Sequence, residues 1–107
     1  MRPVEYPLDL ARTSYPYIER PNPSIQGLLA KHVVSVSSRA RILDVGCGCG
    51  ANAAALRKTS PDVSVLGIEP NGRAADLARR SCHAVFEGTL DDWASTADGA
   101  PFDAVVL

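Results

Sequence analysis

The apolar positions of this chain fall into two rhythms that meet near residue 40. Before it, Ile25, Leu28, Leu29, Val33 and Val36 recur at helical spacing and make one stripe, the pattern of a helix with a single buried face. Asn22-Pro23 marks its start, because asparagine caps a first turn and proline at the first helical position gives up only an N–H that has no helical partner. The pattern predicts a helix over 22–38, ending at Ser37-Ser38. After Ala40, short apolar runs alternate with Ala- and Arg-rich stretches, which predicts β-α-β units and a parallel sheet. The strands are placed at Arg41–Val45, Ser64–Ile68, His83–Phe86 and Phe102–Leu107, and the helices between them at Ala51–Lys58, Gly72–Arg80 and Leu90–Ala97.

Helix and strand breakers fall where this reading needs them. Ser60-Pro61-Asp62 stops one helix, Pro70-Asn71-Gly72 turns into the next, and Asp98-Gly99-Ala100-Pro101 introduces the last strand. Residues 1–21 hold four prolines and three tyrosines without periodicity and read as an extended arm. The organisation is thus an arm over 1–21 and one α/β unit over 22–107.

The chemistry concentrates at the end of the first strand, where Ile42-Leu43-Asp44-Val45 runs into Gly46-Cys47-Gly48-Cys49-Gly50 and then a helix. Alternating glycines let the backbone turn and let a ligand approach the main chain, while the helix start offers free N–H groups. The spacing Gly46-x-Gly48-x-x-Ala51 also satisfies the loose dinucleotide fingerprint, so the glycines alone do not name the ligand. Asp44 repels a diphosphate and attracts an ammonium group, which argues against a dinucleotide. Glu69, 19 residues beyond Gly50 at the end of the second strand, suits a ribose diol, a feature that dinucleotides and other nucleosides share.

Leu43-Asp44-Val45-Gly46-Cys47-Gly48-Cys49-Gly50 resembles the first motif of class I S-adenosylmethionine-dependent methyltransferases, and Gly67-Ile68-Glu69-Pro70-Asn71 resembles their second. Phe86-Glu87-Gly88-Thr89-Leu90-Asp91-Asp92 and Phe102-Asp103-Ala104-Val105-Val106-Leu107 continue the likeness through residue 107. The resemblance implies a Rossmann-like three-layer α/β/α fold with strand order 3-2-1-4, lacking the last three strands of the family's seven and with them the part that selects the methyl acceptor. It implies S-adenosylmethionine as cofactor, with Gly46, Cys47, Gly48 and Gly50 along the methionine part, Asp44 near its amino group, Glu69 on the ribose, Pro70 on the adenine and the Leu90 backbone at the ring edge. Thr89 stands where the family often has aspartate, and Thr89 with Asp92 also reads as a helix capping box. Arg20, beside Tyr15 and Tyr17 in the arm, sits where the family often carries a lid and is a candidate partner for the methionine carboxylate. On this reading the chain is a half-domain inactive by itself, whose parent methylates an unassigned acceptor. An oxidoreductase fragment using NAD and a non-catalytic module adding its open fourth strand to a partner sheet remain alternatives, and self-association through that strand is expected.

Composition adds bounds. With 46% hydrophobic and 21% charged residues the chain is an ordinary globular protein. A net charge of -1 gives no strong nucleic-acid signal. No stretch approaches the ~20 apolar residues of a membrane span, and no targeting signal is visible. Cys47, Cys49 and Cys82 show no C-x-x-C spacing, so neither a disulfide framework nor a metal site is predicted, Cys47 and Cys49 read as small residues of a tight loop, and a reducing cytoplasm fits best. His32 and His83 lack sequence partners for a catalytic role.

Overall fold

The computed structural model describes residues 20–97, 99 and 101–107; most of the arm, with Tyr15 and Tyr17, lies outside the described residues. Strands β1 (Arg41–Val45), β2 (Ser64–Glu69), β3 (Ala84–Glu87) and β4 (Ala104–Val106) alternate with helices α2 (Ala51–Thr59), α3 (Gly72–Ala78) and α4 (Leu90–Thr96), preceded by α1 (Pro23–Leu29). All pairings are parallel, in the order β3-β2-β1-β4.

The order explains the layers. From β1 to β3 the chain steps one way across the sheet, and from β3 to β4 it reverses past β1. Right-handed crossovers then send α2 and α3 to one face and α4 to the other, with the switch point, where open α/β sheets bind ligands, between β1 and β4.

The first face is well packed. Ile42 on β1 and Val65 on β2 meet Leu29, Ala53, Leu56, Ala78 and Cys82 from the helical layer. Alanines at 53, 74, 75 and 78, all at most 1% exposed, let α2 and α3 lie close to the strands. The opposite face is covered by α4 with Trp93 edge-on to Phe102 at 5.9 Å, and Arg41 stacks over the same Phe102 ring at 4.8 Å.

Two expectations need correction. The first helix does not run over 22–38: its α-helical part ends at Leu29 and a single π-helical turn spans Ala30–Val34. The Ser35 hydroxyl donates to the Lys31 carbonyl at 2.5 Å, and the β-branched Val33, Val34 and Val36 follow, both of which disfavour a continued α-helix. The wider turn also moves the stripe, so Val34 packs on the core while Val36 is 82% exposed; Leu28, upstream of the turn, is 59% exposed as well. The fourth strand is shorter than 102–107. Phe102 leaves the ladder to stack on Arg41, and Asp103 acts as a clasp: the Arg41 N–H donates to its carboxylate and its own N–H donates to the Arg41 carbonyl, both at 2.7 Å.

Candidate cofactor site

The glycine loop leaves β1 at the carboxyl end of the sheet. Gly46, Gly48 and Gly50 have φ of 71°, 57° and 88°, and no non-glycine residue among those described has positive φ. The loop therefore requires glycine at each of the three positions. The Gly46 and Cys47 N–H groups donate to the Ile68 carbonyl at 2.8 and 3.1 Å, tying the turn to the end of β2.

The loop has a filled back and an open front. Behind it, a Cβ on Gly50 would stand 3.1 Å from the Ala78 Cα of α3, whereas a Cβ on Gly46 would meet nothing within 4 Å. A ligand reaches the main chain at Gly46 with no side chain in the way.

Two buried carboxylates flank this opening. Glu69, 4% exposed, takes the Gly48 N–H on Oε1 and the Asn71 N–H on Oε2, each at 2.9 Å. It braces the glycine loop against the turn into α3, where the Asn71 side chain in turn caps the helix by accepting from the Ala74 N–H. Asp44 is 5% exposed, and among the described residues no hydrogen bond or ion pair reaches its carboxylate. Burial, and then the charge of Glu69, push its pKa from 3.8 up to about 6. With no cation beside it among the described residues, the Asp44 carboxylate suits a cationic ligand group.

The site residues expected from sequence are brought together in part. Asp44, Gly46, Cys47, Gly48, Gly50, Glu69 and Pro70 share the carboxyl ends of β1 and β2. Thr89 and Leu90 lie at the exit of β3, joined to it by the Gly88 N–H donating to the Glu69 carbonyl at 3.0 Å. The Thr89 hydroxyl accepts from the Asp92 N–H at 3.2 Å, so it caps α4. Arg20 is exposed; just beyond it, the Asn22 N–H donates to Asn52 Oδ1 at 2.6 Å and Gln26 donates to the Asn52 carbonyl at 3.0 Å, fastening α1 to the first turn of α2. The Cys47 side chain points away from the open front, toward Gly67 and Cys82.

Sequence reading passed over the thiol pair and Glu87. The latter ends β3 beside Glu69, but its carboxylate faces the first turn of α3 at Gly72 and lies 3.8 Å from Arg79, so its charge is already answered. A wider hollow of about 510 Å³ beneath α4, lined by Leu66, Trp93, Gly99 and Phe102 among others, holds no carboxylate and none of the residues of the loop after β1. No cluster of three metal-binding side chains occurs among the described residues, and no described helix is long and apolar enough to cross a membrane.

A methyltransferase domain family model matches residues 42–107, from the start of the first motif through β4. The chain belongs to this methyltransferase family. It is 31% identical over 80 residues to a ribosomal RNA large subunit methyltransferase G of Streptomyces avermitilis, covering 71% of this chain and 21% of that protein. It is 35% identical over 75 residues to an O-methyltransferase of Pyrenophora dematioidea, covering 64% of this chain and 28% of the relative. The chain thus spans about a quarter of the length of these relatives. Among solved structures, a sugar N-methyltransferase from Streptoalloteichus superposes with a TM-score of 0.55 at 28% identity, over 75% of this chain and 32% of that one. A methyltransferase from Thiobacillus denitrificans, solved with S-adenosyl-L-homocysteine, shares the fold with a TM-score of 0.57 at 18% identity, over 79% and 36%.

Proposed function

We propose that this chain is the donor-binding part of an S-adenosylmethionine-dependent methyltransferase. The observation that carries the reading is Asp44, a carboxylate 5% exposed with no hydrogen-bond or ion-pair partner among the described residues, at the mouth of a three-glycine turn. A cationic amino-acid group answers that charge, and a dinucleotide diphosphate does not. The relatives support it: the acceptors in their names differ, a ribosomal RNA, an unspecified oxygen and a sugar nitrogen, as fits a shared region that carries the donor.

In this reading Asp44 takes the ammonium group, and the main chain at Gly46, Gly48 and Gly50, with Cys47 between them, lines the methionine part. Glu69, at the end of β2, takes the ribose hydroxyls. Pro70 lies against the adenine, with the Leu90 backbone and Thr89 at its edge, and Arg20 pairs with the carboxylate. S-adenosylmethionine, when bound, supplies a methyl group activated by the sulfonium charge. Alignment of donor and acceptor dominates such a transfer, and accordingly this chain assigns no side chain to proton transfer. Titration calorimetry with S-adenosylhomocysteine and with NAD decides the matter: the first binds and the second does not. Binding of NAD alone would overturn the reading.

We infer further a cytoplasmic setting, in keeping with three free thiols, and self-association through β4. That strand is an edge of the sheet, with Val105 and Leu107 54% and 89% exposed. Its one nearby charge, Asp103, is turned inward to the Arg41 N–H, so among the described residues no charge blunts the edge. Light scattering at tens of micromolar should show species larger than a monomer, and Val105→Lys should reduce them; a monomeric parent chain contradicts the inference.

A further inference from the structure

Two thiols that sequence spacing keeps apart meet under the glycine loop. A Cβ on Gly67 would stand 2.6 Å from the Cys47 sulfur and 3.2 Å from the Cys82 sulfur. The missing side chain of this β2 residue therefore makes the space that both sulfurs share. Cys47 comes from the loop after β1 and is half-buried; Cys82 follows α3 and is 4% exposed. Both stand against the same strand residue, in a chain whose described part contains no disulfide.

We propose that Cys47 and Cys82 form a reversible disulfide that displaces the glycine loop and weakens binding at the donor site. The binding consequence rests on the proposed function; the disulfide does not. The oxidant is a peroxide. Cys47, the more exposed sulfur, gives two electrons to the O–O bond, which breaks: one oxygen stays as a sulfenic acid and the other leaves as water. Cys82 then attacks the Cys47 sulfur, the S–S bond forms, and the sulfenic oxygen departs as a second water carrying the Cys82 proton. Two thiols and one peroxide give one disulfide and two waters. Cys82 needs no exposure, because its attack is internal.

The surroundings favour the second step and slow the first. The Cys47 sulfur lies against Cys82, its thiol donating to the Gly48 carbonyl at 3.6 Å, and Arg57, whose guanidinium donates to the Ser81 carbonyl at 2.6 Å, adds its charge nearby. Both hold the Cys82 thiol below its usual range, as suits an attacking sulfur, while the same contact and burial push Cys47 up. The first step is therefore the slow one.

The displacement follows from bond length. A disulfide fixes its sulfurs at about 2.0 Å, closer than two unbonded thiols approach, and Cys47 is the partner on a loop. Drawing it toward Cys82 moves the neighbouring Gly48 N–H off Glu69, its 2.9 Å acceptor.

The test oxidises the chain with hydrogen peroxide and digests it with trypsin under non-reducing conditions. Peptides 42–57 and 81–107 should become joined, with fragmentation placing the bond at Cys47 and not Cys49, and a thiol reductant should release them. Amide exchange over residues 46–50 should change on oxidation. Affinity for S-adenosylhomocysteine should fall at least about tenfold, as expected when a ligand loses its preformed loop, and should recover on reduction. Cys82→Ser and Cys82→Ala, checked for folding by circular dichroism, should lose every effect. Absence of the joined peptides overturns the proposal, as does a joined pair with unchanged amide exchange or unchanged affinity. A reduced protein that binds no S-adenosylhomocysteine instead overturns the donor-site reading, and the peptide and exchange measurements still decide whether the thiols act.

Discussion

The ends of β1 and β2 each carry a carboxylate at nearly equal depth, Asp44 at 5% exposure and Glu69 at 4%, yet the two live in opposite circumstances. Glu69 takes two backbone N–H groups and holds the loop and the turn into α3 together. Asp44 takes none, and its pKa is pushed up to about 6. Depth alone therefore does not give a buried charge its role. A carboxylate whose acceptors are used is part of the scaffold first, and one left uncompensated weakens the empty fold until a cation arrives.

The largest effect should come from removing the brace. Glu69→Ala leaves two buried N–H groups unpaired, and chemical denaturation should show a loss of about 2–4 kcal/mol. S-adenosylhomocysteine binding should weaken as well, by about 1–3 kcal/mol for the lost ribose contacts. Equal stability of variant and parent would erase the distinction between the two acids.

Asp44→Asn should do the reverse to stability. Folding raises the Asp44 pKa from 3.8 to about 6, so the folded state holds the proton more tightly than the unfolded one. The stability this contributes is fully present below about pH 4 and is lost as pH rises through about 6. At pH 7 the parent chain without ligand should be less stable than Asp44→Asn by about 2–3 kcal/mol, while the variant binds S-adenosylhomocysteine more weakly. In the parent, binding should weaken as pH falls through 6, because the ammonium group needs the ionised acid. Calorimetric titrations at pH 5 and pH 8 check this, and a variant less stable than its parent at pH 7 contradicts the account.

The smallest effect sharpens the edge of the site. Thr89→Ala removes the α4 cap and should cost about 1 kcal/mol in thermal or chemical unfolding. If it alters ligand affinity more than stability, Thr89 belongs to the adenine contact as well as to the helix.

Much of the fold was legible beforehand because its causes are local. Asn22-Pro23, the turn at Pro70-Asn71-Gly72 and the Thr89 cap each act within one helical turn. The glycine loop was legible for the same reason, since positive φ at three alternate positions restricts the residue type whatever surrounds it. Where the first helix fails as an α-helix was less clear, because the Ser35 hydroxyl and a run of β-branched residues compete with its pattern only in sum.

The sequence by itself determined the strands, the turn that exposes a backbone cradle and the presence of an acid at the end of each of the first two strands. Only the tertiary structure decided how those acids are held. Sequence pointed Asp44 to an ammonium group and Glu69 to a ribose, but packing of β1 against β2 is what brings the Gly48 N–H to Glu69, while among the described residues no donor reaches Asp44. The meeting of Cys47 with Cys82 across Gly67 has the same origin. Their spacing along the chain carries no signal, and a parallel crossover through β2 and α3 is what places both sulfurs against a residue that has no side chain to keep them apart.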